Sequence, residues 1–154
     1  MVDLFDIPDV ASLGDCLGQE IAVSDWVDVT QQRIDRFADS TEDRQWIHSD
    51  PGRAAAESPF KTTIAHGFLT LSMLGPISQQ LVVVEDAATS INYGLNKVRF
   101  PAAMPVGAQF RGQGEVVDVT EIDGGVQLTA AFTIEVKGAG RPAVAAECLF
   151  RYYR

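Results

Sequence analysis

An α+β fold, with helices gathered ahead of a run of antiparallel strands, is what this chain predicts, and three observations carry that reading. Residues 67–81 are apolar around most of a helical circumference, through Phe68, Leu69, Leu71, Met73, Leu74, Ile77 and Leu81, and such a helix belongs in the middle of a fold. Val126, Leu128, Ala130, Phe132, Ile134 and Val136 alternate with Gln127, Thr129, Thr133 and Glu135, the period of a half-buried strand. Residues 90–100, 109–119 and 143–152 supply its neighbours, so the expected architecture is an antiparallel sheet with one face covered by the helix.

The elements follow in order. Residues 1–20 read as a lead-in, with Gly14 and Gly18 bracketing Cys16, and 21–29 have the β-branched and aromatic content of a strand. Thr30 is a fitting N-cap for an amphipathic helix that buries Ile34, Phe37 and Ala38, turns Gln31, Gln32, Asp35, Arg36 and Asp39 outward, and stops before Ser40. Residues 42–50 read as a polar loop around Trp46 and Ile47. Asp50 then caps a short helix that has Pro51 at its first position and Ala54, Ala55 and Ala56 to propagate it. Ser58, Pro59, Thr62 and Thr63 form a loop before the long apolar helix, which Pro76 should kink or split. In 90–100 the alternation of Ile91, Tyr93 and Leu95 flips phase to Val98 and Phe100, predicting a bulge near Asn96. Turns are expected at Asp123-Gly124-Gly125 and at 138–140.

The chain has 154 residues, 46% of them hydrophobic and 21% charged, which fits one domain over 1–154 with a core large enough to need neither disulfide nor metal. Its net charge of −9, from 12 basic and 21 acidic residues with no basic cluster, argues against nucleic acid. Residues 62–84 hold His66 as their only ionisable side chain, yet Gly67, Gly75, Pro76, Ser78, Gln79 and Gln80 dilute them, so a buried helix is expected rather than a membrane span. Asp3, Asp6 and Asp9 stand where a signal peptide would be basic, and Cys16 and Cys148 lack any metal-ligand spacing, so a reducing, cytoplasmic setting is expected. A strand edge left by such a sheet is commonly covered by a second copy, hence an expected homodimer.

Chemistry centres on the two histidines. Asp43 and His48, five apart in polar sequence, can face one volume, hold a water, take its proton and return one to a substrate. Read blandly, the first is a local cap and the second a loop histidine. His66 and Gly67 open the apolar helix, where amides precede the helical hydrogen bonds and can receive an oxygen carrying partial charge. A metal held by Asp43, His48, His66 and Asp50 lacks any recognised ligand spacing and is not expected. Gly112 and Gly114 resemble the start of a dinucleotide fingerprint but lack its third glycine and following helix. Lys97 and Arg99 alternate on one strand face and, with Arg53 and Lys61, are candidate contacts for a phosphorylated ligand.

Residues 37–51, containing Asp43-Arg44-Gln45-Trp46-Ile47-His48, followed by Ile64-Ala65-His66-Gly67-Phe68 and then Asn92-Tyr93-Gly94-Leu95-Asn96-Lys97-Val98-Arg99-Phe100-Pro101, resemble the MaoC-like (R)-specific enoyl-CoA hydratases. The resemblance implies a hot-dog fold, a sheet wrapped around a long central helix, in a dimer whose sites lie near the subunit interface. It also implies reversible syn addition of water to a trans-2-enoyl-CoA, giving the (R)-3-hydroxyacyl-CoA, with coenzyme A thioester as substrate and no cofactor. In that frame Asp43 and His48 match the catalytic pair and Gly67 matches the amide donor to the thioester oxygen. Many members carry asparagine-proline where Gln45-Trp46 stands here, which bears on loop shape and acyl-chain preference. A hot-dog thioesterase or acyl-thioester-binding module is the alternative.

Overall fold

In the computed structural model, which describes residues 5–154, short strands and a 3-10 turn lead into five helices and then four long strands. Asp3 of the acidic opening lies outside the described residues. β1 (Phe5–Ile7) is followed by the turn Val10–Cys16, which the Asp9 side chain caps by accepting from the Ser12 amide. That turn is more than a lead-in, because Val10, Leu13 and Cys16 are buried in the main core.

The expected strand over 21–29 is two short pieces, β2 (Glu20–Ile21) and β3 (Val27–Asp28), both antiparallel to one long strand, β6 (Gln109–Ile122). Between them Ser24 diverts the ladder: its amide donates to the Gly112 carbonyl at 2.9 Å and its hydroxyl accepts from the Gly112 amide at 2.9 Å. A serine hydroxyl competing for the backbone is a signal that strand composition does not report.

Helix α1 (Gln31–Thr41) begins where expected, with Thr30 accepting from the Arg33 amide, but runs two residues further. Ser40 and Thr41 stay helical by bonding back to the Phe37 carbonyl, and Glu42 ends the helix in the left-handed conformation at φ 60°. A Cβ is unfavourable there by about 1–2 kcal/mol. Replacing Glu42 with Gly is therefore expected to stabilise the protein by about 0.5–1 kcal/mol after the greater freedom of glycine in the unfolded chain is offset, a gain that urea denaturation would read. The polar stretch after it holds a further turn, α2 (Trp46–Ser49), which leads into α3 (Pro51–Glu57) with Asp50 as cap, as its sequence predicts.

The long apolar segment is split at Met73 into α4 (Gly67–Ser72) and α5 (Leu74–Leu81), three residues ahead of Pro76, in keeping with proline's loss of an amide donor. It continues directly into β4 (Val82–Val84), whose parallel pairing with β1 has no counterpart in the sequence reading. β5 (Thr89–Arg99), β6, β7 (Gly125–Val136) and β8 (Val144–Tyr153) complete an antiparallel sheet of order β2-β6-β7-β8-β5, with β3 also on β6. The register of β5 against β8 slips between Leu95 and Val98, the bulge expected near Asn96, and again between Asn92 and Gly94. Gly124 and Gly138 carry the positive φ their turns need.

Leu128, Phe132 and Ile134 of β7, Val144 of β8 and Phe110 of β6 meet Leu69, Leu74, Ile77 and Leu81 in one core, where Cys148 packs as a small apolar group. The glycines set aside as a dinucleotide signal have packing roles. A Cβ on Gly112 would stand 2.6 Å from the Ile77 side chain, and one on Gly114 would stand 2.8 Å from the Phe132 ring. Within a single chain the central helix is not covered all round. Phe68 is 72% exposed and faces outward on the same molecule as exposed Ile91, Tyr93, Leu95 and Phe100 of the β5 region.

Candidate active site

The candidate site is assembled where three segments cross. Thr63, Ile64 and Ala65 run between α2 and residues 104–106: the Ile64 amide donates to the Ile47 carbonyl, the Ala65 amide to Met104, and the Val106 amide to Thr63. This lattice sets α2, with His48, beside the start of α4, with His66 and Gly67. Gln31 ties α1 to α2 and to the segment ahead of α4, its Nε2 donating to the His48 carbonyl at 2.8 Å and its Oε1 accepting from the buried Thr63 hydroxyl. Periodicity turned Gln31 outward. A glutamine at the first helical position gives no sign that its amide bridges to residues 17 and 32 positions away.

His48 is 7% exposed, and its Nδ1–H donates to the Ile64 carbonyl at 2.7 Å. A carbonyl only accepts, so the proton lies on Nδ1 and the lone pair on Nε2. Burial pushes this imidazole below the usual 6.5; the Ile64 bond opposes the shift, His66 adds to it and Asp43 works against it. His66, at 2% exposure, directs Nε2–H to the main-chain carbonyl of Asp43 at 2.9 Å. The two imidazoles stack with centroids 3.7 Å apart and planes 25° apart, and Phe37 closes the other side of His66 at 5.0 Å.

Asp43, His48 and His66 bring donor atoms to within 4.8 Å of one another. Such a group invites the thought of a metal, but nearly parallel rings send their lone pairs side by side instead of to a point about 2.0–2.1 Å from both nitrogens. The stack is a poor chelate. Asp50 stands apart from the group, accepting from the Arg53 amide as the cap of α3.

His48, Gly67 and Thr70 share a cavity of about 390 Å³ with Phe60, Phe100 and Met104. Its lining combines the polar His48 and Thr70 with the apolar Phe60, Ile64, Phe100 and Met104. Gly67 lies tight against the Phe100 ring, which a Cβ at that position would approach to 3.3 Å. The other sequence candidates lie elsewhere. Gln45 precedes α2 with its side chain exposed and making no capping bond, Trp46 stacks under the Arg53 guanidinium at 4.5 Å, Lys97 pairs with Glu147 at 3.1 Å, and Arg99 donates to the Val98 carbonyl. None of the four lines the cavity that holds His48. Phe60, Phe100 and Thr70 do line it and carried no signal of their own in the sequence.

A curved antiparallel sheet over a central helix, with an acid and an imidazole beside that helix's first residue, defines a class, the hot-dog dehydratases. Residues 13–137 match the model of the MaoC like domain, and the chain belongs to that family, the dehydratases of MaoC type. It is 49% identical over 144 residues to 3-hydroxyacyl-thioester dehydratase Z of Mycobacterium tuberculosis (strain ATCC 25618 / H37Rv), covering 93% of this chain and 95% of that one. Its fold superposes on an (R)-hydratase from A. caviae involved in PHA biosynthesis with a TM-score of 0.71 and 27% identity, over 87% and 94% of the two chains. A monoamine oxidase regulatory protein from Archaeoglobus fulgius shares the fold at TM-score 0.78 and 22% identity, over 97% and 96%. Among the described residues no helix is long and apolar enough to cross a membrane.

Proposed function

We propose that this protein, acting as one domain over 1–154, is an (R)-specific enoyl-CoA hydratase/dehydratase that adds water reversibly to a trans-2-enoyl-CoA. The observation that carries the proposal is that donor atoms of Asp43 and His48 lie within 4.8 Å of each other, with the lone-pair nitrogen of His48 fixed by the Ile64 bond and His48 lining a cavity together with Gly67. Asp43 and His48 hold a water between them. As its oxygen bonds to C3 of the enoyl group, the pair takes one proton, and the electrons of the double bond move toward the thioester oxygen. The Gly67 amide donates to that oxygen while it carries enolate charge. The pair then returns a proton to C2 on the same face, so one molecule of water is added syn. The steps involve no redox change and call on no cofactor.

The test follows the loss of conjugated enoyl-thioester absorbance with crotonyl-CoA and a longer trans-2-enoyl-CoA, with an (R)-specific coupling enzyme reading the product. An (R) product supports the proposal; no hydration by a folded protein, with thiol released instead, would replace it with a thioesterase. The pH profile offers a second check. In the free enzyme His48 must be neutral, and its acidity is shifted so that the neutral form persists below pH 6.5. The acid limb of kcat/KM is therefore expected below 6.5. Stability follows the same sign: the unfolded chain takes up this proton first, so the contribution of His48 is present above 6.5 and is lost as pH falls through its folded-state value. An acid limb at or above 6.5 would remove His48 from the role of base.

A homodimer is part of the proposal, supported by the exposed Phe68, Tyr93 and Leu95 beside the free edge of β5. Light scattering would read it, and a monomer at micromolar concentration would refute it. The buried, unpaired Cys16 and Cys148 suit a reducing compartment such as the cytoplasm.

A further inference from the structure

We propose that His66 is a positioning residue for the hydration step: it holds Asp43 in place through the main chain and backs the ring of His48, without touching the substrate. The inference rests on the hydratase reading and gives His66, which the sequence placed with Gly67 as a thioester-binding candidate but which does not line the cavity, a different role within it.

Three observations support it. First, His66 is not among the residues lining the cavity that His48 and Gly67 share, and at 2% exposure it is almost fully buried. Second, its Nε2–H donates to the carbonyl of Asp43, 23 residues earlier in the chain, at 2.9 Å. Asp43 is itself exposed and follows Glu42, which ends α1 in the left-handed conformation. A hydrogen bond from a ring fixed between Phe37 and His48 sets where the Asp43 main chain sits and hence where its carboxylate starts. Third, Nδ1 of His66 is buried with no hydrogen-bond partner. A residue chosen only to fill space would be apolar, because a buried polar atom without a partner is destabilising. Keeping a histidine at that cost makes sense if the other nitrogen is needed as a donor.

The main chain also fits the arrangement. The His66 carbonyl accepts from the Thr70 amide at 3.0 Å and from its hydroxyl at 3.1 Å, which anchors the residue at the head of α4. One residue thus links the loop that carries the acid, the ring of the base and the helix that starts with Gly67. The requirement is geometric, since positioned acid–base groups act only within hydrogen-bond reach of the proton they move.

The test uses two substitutions and one spectrum. His66→Gln keeps a donor near the position of Nε2, whereas His66→Phe keeps the flat stacked ring and removes the donor. With crotonyl-CoA, His66→Phe is expected to lose about 100-fold in kcat with KM changed by less than about threefold, and His66→Gln to stay within about tenfold of the native kcat. A native kcat in His66→Phe would overturn the proposal. So would equal losses in both variants that follow equal falls in Tm, because that pattern is packing alone.

Should His66→Phe fail to fold, nitrogen-15 spectra of histidine-labelled native protein still decide the matter, as the chain has two imidazoles and His66→Gln assigns them. The expected result is a proton on Nε2 of His66 bonded to Asp43 and one on Nδ1 of His48 bonded to Ile64. A proton on Nδ1 of His66 would rule out the bond to Asp43 and overturn the assignment. Failure of the hydratase reading looks different: the native protein then hydrates no enoyl thioester, while the tautomers remain as described.

Discussion

Asp43→Asn is expected to lower the rate of crotonyl-CoA hydration by about 10³- to 10⁴-fold while leaving KM within a few-fold of the native value. The side chain is exposed, and its main-chain carbonyl, the acceptor of the His66 bond, survives the substitution, so the fold has no reason to change. An asparagine amide still hydrogen-bonds to water but neither takes nor returns a proton at neutral pH. His48 keeps its Ile64 bond and its place in the cavity. The loss therefore belongs to the chemical step, and steady-state kinetics on the variant, with thermal melting as the control for folding, measures it. Native turnover in Asp43→Asn would remove this residue from the mechanism. Native substrate affinity with no activity in either protein would instead mark a binding module.

The second large effect is on stability. Gly112→Val would place a branched side chain where even a Cβ comes within 2.6 Å of Ile77, at the point where α5 lies on β6. The site cannot yield on the sheet side, because Gly112 is paired with Ile134 of β7 and bonded to Ser24 through both its amide and its carbonyl. Helix α5 must lift instead. Overpacking of this kind costs about 3 kcal/mol, which for a chain of this size is a fall in Tm of roughly 6–12 °C. Because α5 continues from α4, whose first residue is Gly67, activity is expected to fall at temperatures well below the new Tm. Differential scanning calorimetry reads the first effect and turnover against temperature the second; an unchanged Tm would mean that Ile77 repacks freely.

Several elements were legible because their causes are local. Thr30 and Asp50 accept from the amides their spacing predicts, Pro76 sits just past the break in the central helix, and the phase flip in 90–100 marks a real slip in register. Where the reading failed, a distant partner decided the outcome. Gln31 faces inward because His48 and Thr63 offer it hydrogen bonds, and the strand over 21–29 breaks because Ser24 finds Gly112. Val82–Val84 leaves the helix to pair with β1 at the far end of the chain.

The sequence by itself determined the α+β class, the order of its longer helices and strands, the MaoC-like motifs and the five-residue spacing of Asp43 and His48, since periodicity, caps and spacing are properties of neighbouring residues. Tertiary structure alone decided the rest. It decided which nitrogen of each histidine carries the proton, because the acceptors, Ile64 and Asp43, lie 16 and 23 residues from the rings they bind. It also separated the cavity from Gln45, Trp46, Lys97 and Arg99, whose charge and size suggested contact but whose side chains are engaged with other partners or turned to solvent. Direction of hydrogen bonds and the shape of enclosed space are fixed only when distant segments pack, and no local pattern encodes them.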